Sequence, residues 1–465
     1  MQSEKELSID VQKTALFESV PIPRAVMKMA VPTVLSSLVM VIYNLADTYF
    51  VGMLNNSVEN AAVTLAAPVL LAFNAVINLF GVGGSSLMSR YLGIKRYEQV
   101  RKSAAVSFYC ALGFSALFSL AFAVFHTQIL GILGTTADTS AATWRYLQWT
   151  TVCGAVPAIL NVVLANLVRA EGSALHASIG TMSGCILNMI LDPIFILPVG
   201  LHMGAAGAGL ATFLSNCAAC GYFFILLRMR RGQTMVCVSP RVFSPDPIIL
   251  RQICVVGIPA AIQNLLNVTG MTVLNNFTAS YGSDAVAAMG ISHKINMVPM
   301  YIAMGISQGI MPLVGYNYAS GNRDRMKKAV LFTAKISVAF IVLVSVAYFA
   351  GSRGMIGWFM KNEAVIAYGS RFLRGMCIGL VFLTIDFLAV GVFQACGMGT
   401  SSLIFAILRK VVLEIPALFI LNKLYPLYGL AYAQTAAEFV LAVAAIVLLR
   451  RMFRGDAPQK VREEA

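Results

Sequence analysis

What most limits the fold of this chain is a series of apolar segments, each about 20 to 25 residues long, recurring from Met27 to near the C-terminal end. A helix of that length crosses roughly 30 Å of hydrocarbon. Inside lipid every backbone amide and carbonyl must be satisfied within the protein, so segments of this kind are helices. About twelve are placed, at 27–52, 61–88, 103–125, 144–168, 175–198, 204–227, 253–281, 285–314, 329–350, 372–396, 403–424 and 429–449. The expected fold class is an all-α polytopic membrane protein with twelve transmembrane helices.

Composition excludes the soluble alternatives. Of 465 residues 58% are hydrophobic and 12% charged, and the mean hydropathy is +0.78, outside the range of ordinary soluble chains. The net charge of +14 does not point to nucleic acid, because the cations sit in short loops between apolar segments, where they act as topology signals. Residues 1–18 are polar, and the first apolar run holds Pro32, Asn44 and Asp47, so a cleaved signal peptide is not expected and the N-terminus is placed in the cytoplasm. The nine cysteines include Cys217 and Cys220 in CxxC spacing, but that pair falls in an apolar helix with no second pair or nearby histidine. They read as small core residues.

Basic residues set the orientation. Arg90, Lys95, Arg96, Arg101 and Lys102 mark a cytoplasmic loop, 126–143 carries no Lys or Arg and is external, and the tail with Arg450, Arg451, Arg454, Lys460 and Arg462 is cytoplasmic. Arg353, Lys361 and Lys423 are a minority on the external side. The organisation expected is a cytoplasmic segment 1–26, a first lobe 27–235, a cytoplasmic linker 236–252 rich in Arg and Pro, a second lobe 253–449 and a basic tail 450–465. The two halves align at an offset of about 225: Val31-Pro32 meets Ile258-Pro259, Arg101-Lys102 meets Lys327-Lys328, and Gly207 with Ala211 meets Gly429 with Ala433. Six spans bring the chain back to its starting side, so the copies form a parallel repeat, an arrangement that commonly makes two lobes with a substrate cavity between them.

One stretch in these runs must accommodate a charge. Asn188 and Asp192 lie four residues apart and share a helix face, and Pro193 deprives the Met189 carbonyl of its helical partner. An ionisable group at membrane depth costs about 2.5 to 3.5 kcal/mol on insertion scales, so it faces a cavity or a partner; the plainer reading is a cap or a buried amide bond. Asp47, five residues before Gly52, and Asp192, six before Pro198, fall in the same outer half, and Thr212, near the start of its span, reaches a similar level. Hard oxygen donors of this kind suit Na+ better than a soft transition metal, while a buried carboxylate pair equally suits exchange of a proton. The cation-coupling group, and the set that would ligate Na+, is Asp47, Asn188, Asp192 and Thr212.

In the aligned copy Leu274 stands opposite Asp47 and Glu414 opposite Asp192, so the second half lacks the pair. Glu414 is a gating or substrate-contact candidate, with a local salt bridge to Arg409 or Lys410 as the competing reading. Asp386 and Glu438 are divided between cavity lining and interhelical bonding. Asn44, Asn161, Asn267, Met271, Asp386 and Glu414 complete the substrate-cavity or gating candidates. The four histidines, His126, His176, His202 and His293, form no metal-ligand spacing. Most of the 23 Met and 27 Phe fill the core or face lipid, although Met271, Met297, Met300 and Met304 fall beside the expected cleft, where an adaptable surface suits varied apolar ligands.

The chain resembles the multidrug and toxic compound extrusion (MATE) transporters over about 25–451. The resemblance is carried by 44–52 (Asn44-Leu45-Ala46-Asp47-Thr48-Tyr49-Phe50-Val51-Gly52), by Asn188 to Pro193, by 204–212 from Gly204 to Thr212, and by Gly305 through Pro312 to Gly315-Tyr316-Asn317-Tyr318-Ala319-Ser320-Gly321-Asn322. It implies a two-lobe, twelve-helix antiporter of the cytoplasmic (inner) membrane, exporting organic cations in exchange for Na+ or H+. It also maps the family's first-lobe cation site onto Asp47, Asn188, Asp192 and Thr212. The NorM-like branch has a second-lobe glutamate where this chain has Asn267, which favours the DinF-type branch; Asp386 stands where that other branch also has an acid. The implied partners are small drug-like molecules and the lipid bilayer, with no nucleic acid, no cofactor beyond the coupling ion, and a functional monomer. A lipid-linked oligosaccharide flippase is the alternative, but few Lys or Arg fall within the spans, Lys294 and Lys335 being the main exceptions. An enzyme is not expected, since HExxH and Walker loops are absent from the sequence and the GxSxG match at 305–309 lies inside an apolar span.

Overall fold

A computed structural model describes residues 14–454 apart from Asn55 and Val199, and among these all regular secondary structure is helical. The first half holds α1 (Ile22–Met53), α2 (Ser57–Gly93, with a π-helical turn at Asn78–Val82), α3 (Tyr97–Val124), a short α4 (His126–Ile132), α5 (Ala137–Cys153), α6 (Ala155–Ala170), α7 (Ala174–Ile196) and α8 (Ala205–Met229). The second half holds α9 (Pro247–Ala279), α10 (Ser283–Ala319), α11 (Arg323–Phe359), α12 (Glu363–Ala395), α13 (Gly399–Ile407), a π-helical segment (Leu408–Glu414), α14 (Ile415–Leu424) and α15 (Gly429–Arg454).

Ten of these helices are long and apolar enough to cross a bilayer, and α5 with α6, bent by 49°, makes an eleventh if counted as one span. The run expected at 403–424 is divided among α13, the π segment and α14. Arg409, Lys410 and Glu414 interrupt its hydropathy. Several helices outrun their apolar cores because a cap lies further out. Asn322 accepts from the Arg325 amide at 3.2 Å and starts α11 six residues before the expected 329, and Asn362 accepts from the Ala364 amide at 2.9 Å and starts α12 at Glu363.

The repeat is visible in α1 and α9, which are 32 and 33 residues long and carry Pro32 and Pro259. One compact unit contains Leu35–Ala261 with the described residues before Val20; the other contains Val20–Val34 and Ile262 onward. Each proline helix thus passes from one unit to the other just after its proline. Within the first unit Gly83 and Gly257 bring α2 and α9 to backbone contact, since a Cβ at either would lie 2.4 Å from the Ile253 carbonyl oxygen or 2.1 Å from that of Leu79. Within the second, a Cβ on Gly309 would meet the Ala30 Cα at 2.8 Å. Helices in lipid gain little from burying apolar surface against one another, so close packing of small residues and interhelical hydrogen bonds hold them.

Candidate functional site

The site in the first unit rests on how closely α7 and α8 approach. Gly180, Gly184, Asn188 and Asp192 recur every four residues on α7 and are all buried, as one helical stripe. Opposite them on α8 stand Phe223, Ala219 and Ser215; a Cβ on Gly180 would lie 2.3 Å from the Phe223 ring, and one on Gly184 3.0 Å from the Ala219 Cβ. The helix ends are as tight. A Cβ on Gly207 would lie 2.4 Å from the Phe195 carbonyl oxygen, and Gly204 enters α8 with φ +59°, a backbone region open to glycine. Glu59 of α2 then accepts from the Ala205 amide at 2.7 Å, placing a carboxylate on the N-terminus of α8.

At that spacing Asn188 reaches both neighbours. Its amide is assigned with the nitrogen toward the carboxylate, donating to Asp192 Oδ1 at 3.1 Å and Oδ2 at 2.7 Å, while its carbonyl accepts from Thr212 Oγ1 at 3.2 Å and the Thr212 amide at 3.1 Å; the reverse orientation would set its oxygen against the carboxylate. Asp192 is 0% exposed. Helix α1 docks on α7 through Ser178 Oγ, which donates to Ser36 Oγ at 3.4 Å. Three turns further along α1, Asp47 is half-buried and within electrostatic reach of Asp192, and both acids reach Tyr43 and Tyr146. Of the four residues read from depth, Asn188, Asp192 and Thr212 are hydrogen-bonded together, and Asp47 is linked to them by electrostatic reach alone. Two carboxylates, a carboxamide and a hydroxyl form a mixed hard-oxygen set; among the described residues no group of three or more His, Cys, Asp or Glu is gathered to hold a metal ion.

The cavity and gating candidates are scattered. Asn161 of α6 donates to Asn216 Oδ1 of α8 at 2.9 Å and to the Pro157 and Ala158 carbonyls at 2.8 and 3.1 Å, so its amide hydrogens are engaged in holding α6 to α8. Asn44 is exposed and donates to the Met40 carbonyl at 2.8 Å; Met271 is also exposed. Asn267, Asp386 and Glu414 meet in the second unit, around the π-helical segment. Arg409 Nη1 donates to Asp386 Oδ2 at 3.0 Å, Nη2 donates to Asn267 Oδ1, and Nε lies 3.9 Å from Glu438 Oε1. Lys410 donates to both oxygens of Glu414 at 2.8 and 2.6 Å, in space left by Gly270, where a Cβ would lie 3.3 Å from each partner.

The MatE family model matches this chain twice, over residues 32–194 and 259–420, one match in each half of the repeat. This chain belongs to the MatE family. Among MatE relatives, the multidrug export protein MepA of Staphylococcus aureus (strain MRSA252) is 36% identical over 437 residues, covering 93% of this chain and 94% of that one. MepA of Staphylococcus haemolyticus (strain JCSC1435) is 35% identical over 435 residues with the same coverage. A multidrug resistance MATE family transporter of the MOP superfamily, solved in an outward-facing conformation, has a TM-score of 0.89 at 25% identity, covering 96% of this chain and 98% of that one. A MATE protein in complex with MaL6 gives the same score and identity over 95% and 98%.

MatE membership makes the chain a transporter and not an enzyme. Sequence reasoning about this MatE protein offered a local bridge from Arg409 or Lys410 to Glu414, which Lys410 forms, but did not count these two among the intramembrane cations: those it named, Lys294 and Lys335, are exposed, whereas Arg409 and Lys410 are buried. The signal was present, since two adjacent cations in an apolar run carry the same implication as an acid there. Tyr43, Tyr146 and Asn216 were missed for another reason. A tyrosine or a lone asparagine in a long apolar helix has no pattern that marks it.

Proposed function

We propose that this protein is a secondary active multidrug efflux antiporter of the DinF-type branch, exporting organic, cationic lipophilic compounds in exchange for Na+ or H+ by alternating access. The observation that carries the reading is Asn188, holding the buried Asp192 carboxylate within electrostatic reach of Asp47. Asp47, Asn188, Asp192 and Thr212 form the coupling group. In the arrangement described, the Asn188 nitrogen takes the place on Asp192 that an incoming cation would occupy. Turning the amide about its own axis presents the carbonyl oxygen instead, so cation arrival exchanges a donor for a ligand and also withdraws the carbonyl from Thr212. The same carboxylates attract a cationic drug, and competition between drug and ion for them couples the two fluxes.

The interrupted segment 399–424 is the twelfth span of this reading, both termini are cytoplasmic, and the working unit is a monomer in the cytoplasmic membrane. The lipid-linked oligosaccharide flippase remains the second reading because Arg409 and Lys410 are buried cations. Both, however, are engaged by acids, which leaves little positive charge for a pyrophosphate.

The test is dye efflux from cells or everted vesicles bearing wild type, Asp47→Asn or Asp192→Asn, with sodium and pH gradients imposed separately. Efflux should fall to the empty-vector level in both variants, and the gradient whose removal stops the wild type identifies the ion. Undiminished efflux in both variants removes the proposed site.

A further inference from the structure

The second unit holds a charge cluster for which the proposed coupling scheme has no use. Asp386, Arg409, Glu438 and Asn267 come from α12, the π segment, α15 and α9, and the three charged side chains are at most 2% exposed. Their geometry converges on the guanidinium. Asp386 Oδ2 and Asn267 Oδ1 accept from its two terminal nitrogens, Glu438 Oε1 approaches its Nε at 3.9 Å, and its carbon lies 5.3 Å from the centre of the Phe387 ring. Asp386 Oδ1 and both Glu438 oxygens have no hydrogen-bond partner, and neither has Arg409 Nε. Two carboxylates therefore share one guanidinium as their bonded cation, with three carboxylate oxygens left over; Lys410, itself bonded to Glu414, acts on both acids from further away.

Neighbouring residues of a helix project to different sides, so Arg409 meets Asp386 while Lys410 meets Glu414. The π-helical segment Leu408–Glu414 widens the turn, a local distortion found most often at functional sites. Without Arg409 the cluster would be two acids and a carboxamide oxygen around a space the size of a guanidinium, with Lys410 committed to Glu414 as the remaining cation, in surroundings where an uncompensated charge is severely unfavourable. Oxygen donors of that type select a hard monovalent or divalent cation over a soft one.

We propose that Arg409 is a tethered counter-cation filling what would otherwise be an Na+ site made by Asp386, Glu438 and Asn267. The second unit consequently exchanges no ion in the native protein, and the guanidinium is a specificity-determining group that confines ion exchange to the first unit. This holds whichever ion the first unit uses.

The experiment measures saturable binding of radioactive sodium to purified protein in lipid nanodiscs. The parent is Asp47→Asn/Asp192→Asn, in which any first-unit binding is removed. Adding Arg409→Gln should create saturable Na+ binding that the parent lacks, and adding Asp386→Asn or Glu438→Gln to that variant should abolish it. A folded Arg409→Gln variant that binds no sodium, or that is stabilised by acid but not by NaCl, overturns the proposal. If Arg409→Gln does not survive purification in choline chloride, NaCl should restore a monodisperse protein, and Arg409→Gln/Asp386→Asn/Glu438→Gln should be recovered in either salt. Failure of sodium to rescue the single variant overturns the proposal equally.

Discussion

Asn188 stands between Asp192, one turn along its own helix, and Thr212 on the next, giving hydrogen to the first and taking it from the second. A single amide thus links the carboxylate to α8. A hydrogen bond to a charged group contributes about 1.5 to 3 kcal/mol. Asn188→Ala removes that donor from the ion-free carboxylate. For H+, which needs no carbonyl ligand, the concentration for half-maximal efflux should therefore fall by roughly ten- to a hundredfold. For Na+ the simultaneous loss of the carbonyl ligand opposes the change and the shift should be smaller, both read from initial dye-efflux rates over a titration of the driving ion. An unchanged half-maximal concentration would remove Asn188 from ion binding.

The close approach of α7 and α8 can be tested apart from the polar groups. A Cβ at Gly207 meets a backbone oxygen, which cannot move aside as a side chain would. Overpacking of this kind typically costs about 1 to 3 kcal/mol, and here it separates Thr212 from Asn188. Gly207→Ala should lower thermal stability and efflux together. Gly113→Ala, where a Cβ meets nothing within 4 Å, should leave both intact.

Glu59 bonds the first amide of α8 and interacts with that helix's N-terminal dipole. Removing the charge while keeping the shape, Glu59→Gln, should destabilise the protein by roughly 0.3 to 2 kcal/mol. The readout is the midpoint of thermal unfolding in detergent at low and high salt; a variant as stable as wild type at both would show that the cap carries no weight.

Asn161 and Asn216 form an interhelical pair one turn along α8 from Thr212. A double-mutant cycle with Ala at each position should return a coupling of about 0.6 kcal/mol, and no more than about 1.7, as intramembrane hydrogen bonds do. The bond being a brace, Asn161→Ala should keep the substrate range of wild type while lowering stability. An altered order of preferred dyes with unchanged stability would return Asn161 to the cavity.

Much of the first-unit site was legible because its signals are local. Asn188 and Asp192 are four residues apart, and a helix places such residues on one face whatever surrounds it. The depth of Asp47, Asp192 and Thr212 follows from counting residues to the end of an apolar run. The second-unit cluster was not legible in the same way: Asn267 and Arg409 are 142 positions apart, and what joins them is tertiary packing that hydropathy does not announce. Reading Arg409 and Lys410 only as possible local partners of Glu414 captured Lys410 and missed the residue that gathers Asp386, Glu438 and Asn267.

By itself the sequence determined that the chain is a duplicated set of membrane helices, because lipid leaves a backbone of this hydropathy no other way to satisfy its amides, and that acids in such helices need partners. The tertiary structure decided which partners. Whether Asn188 touches Thr212 depends on glycines that let α7 and α8 approach to backbone contact, and whether Asp386 is free or held depends on the packing that brings Arg409 to it. Both outcomes depend on packing between segments distant in the chain, which residue types and their spacing do not encode.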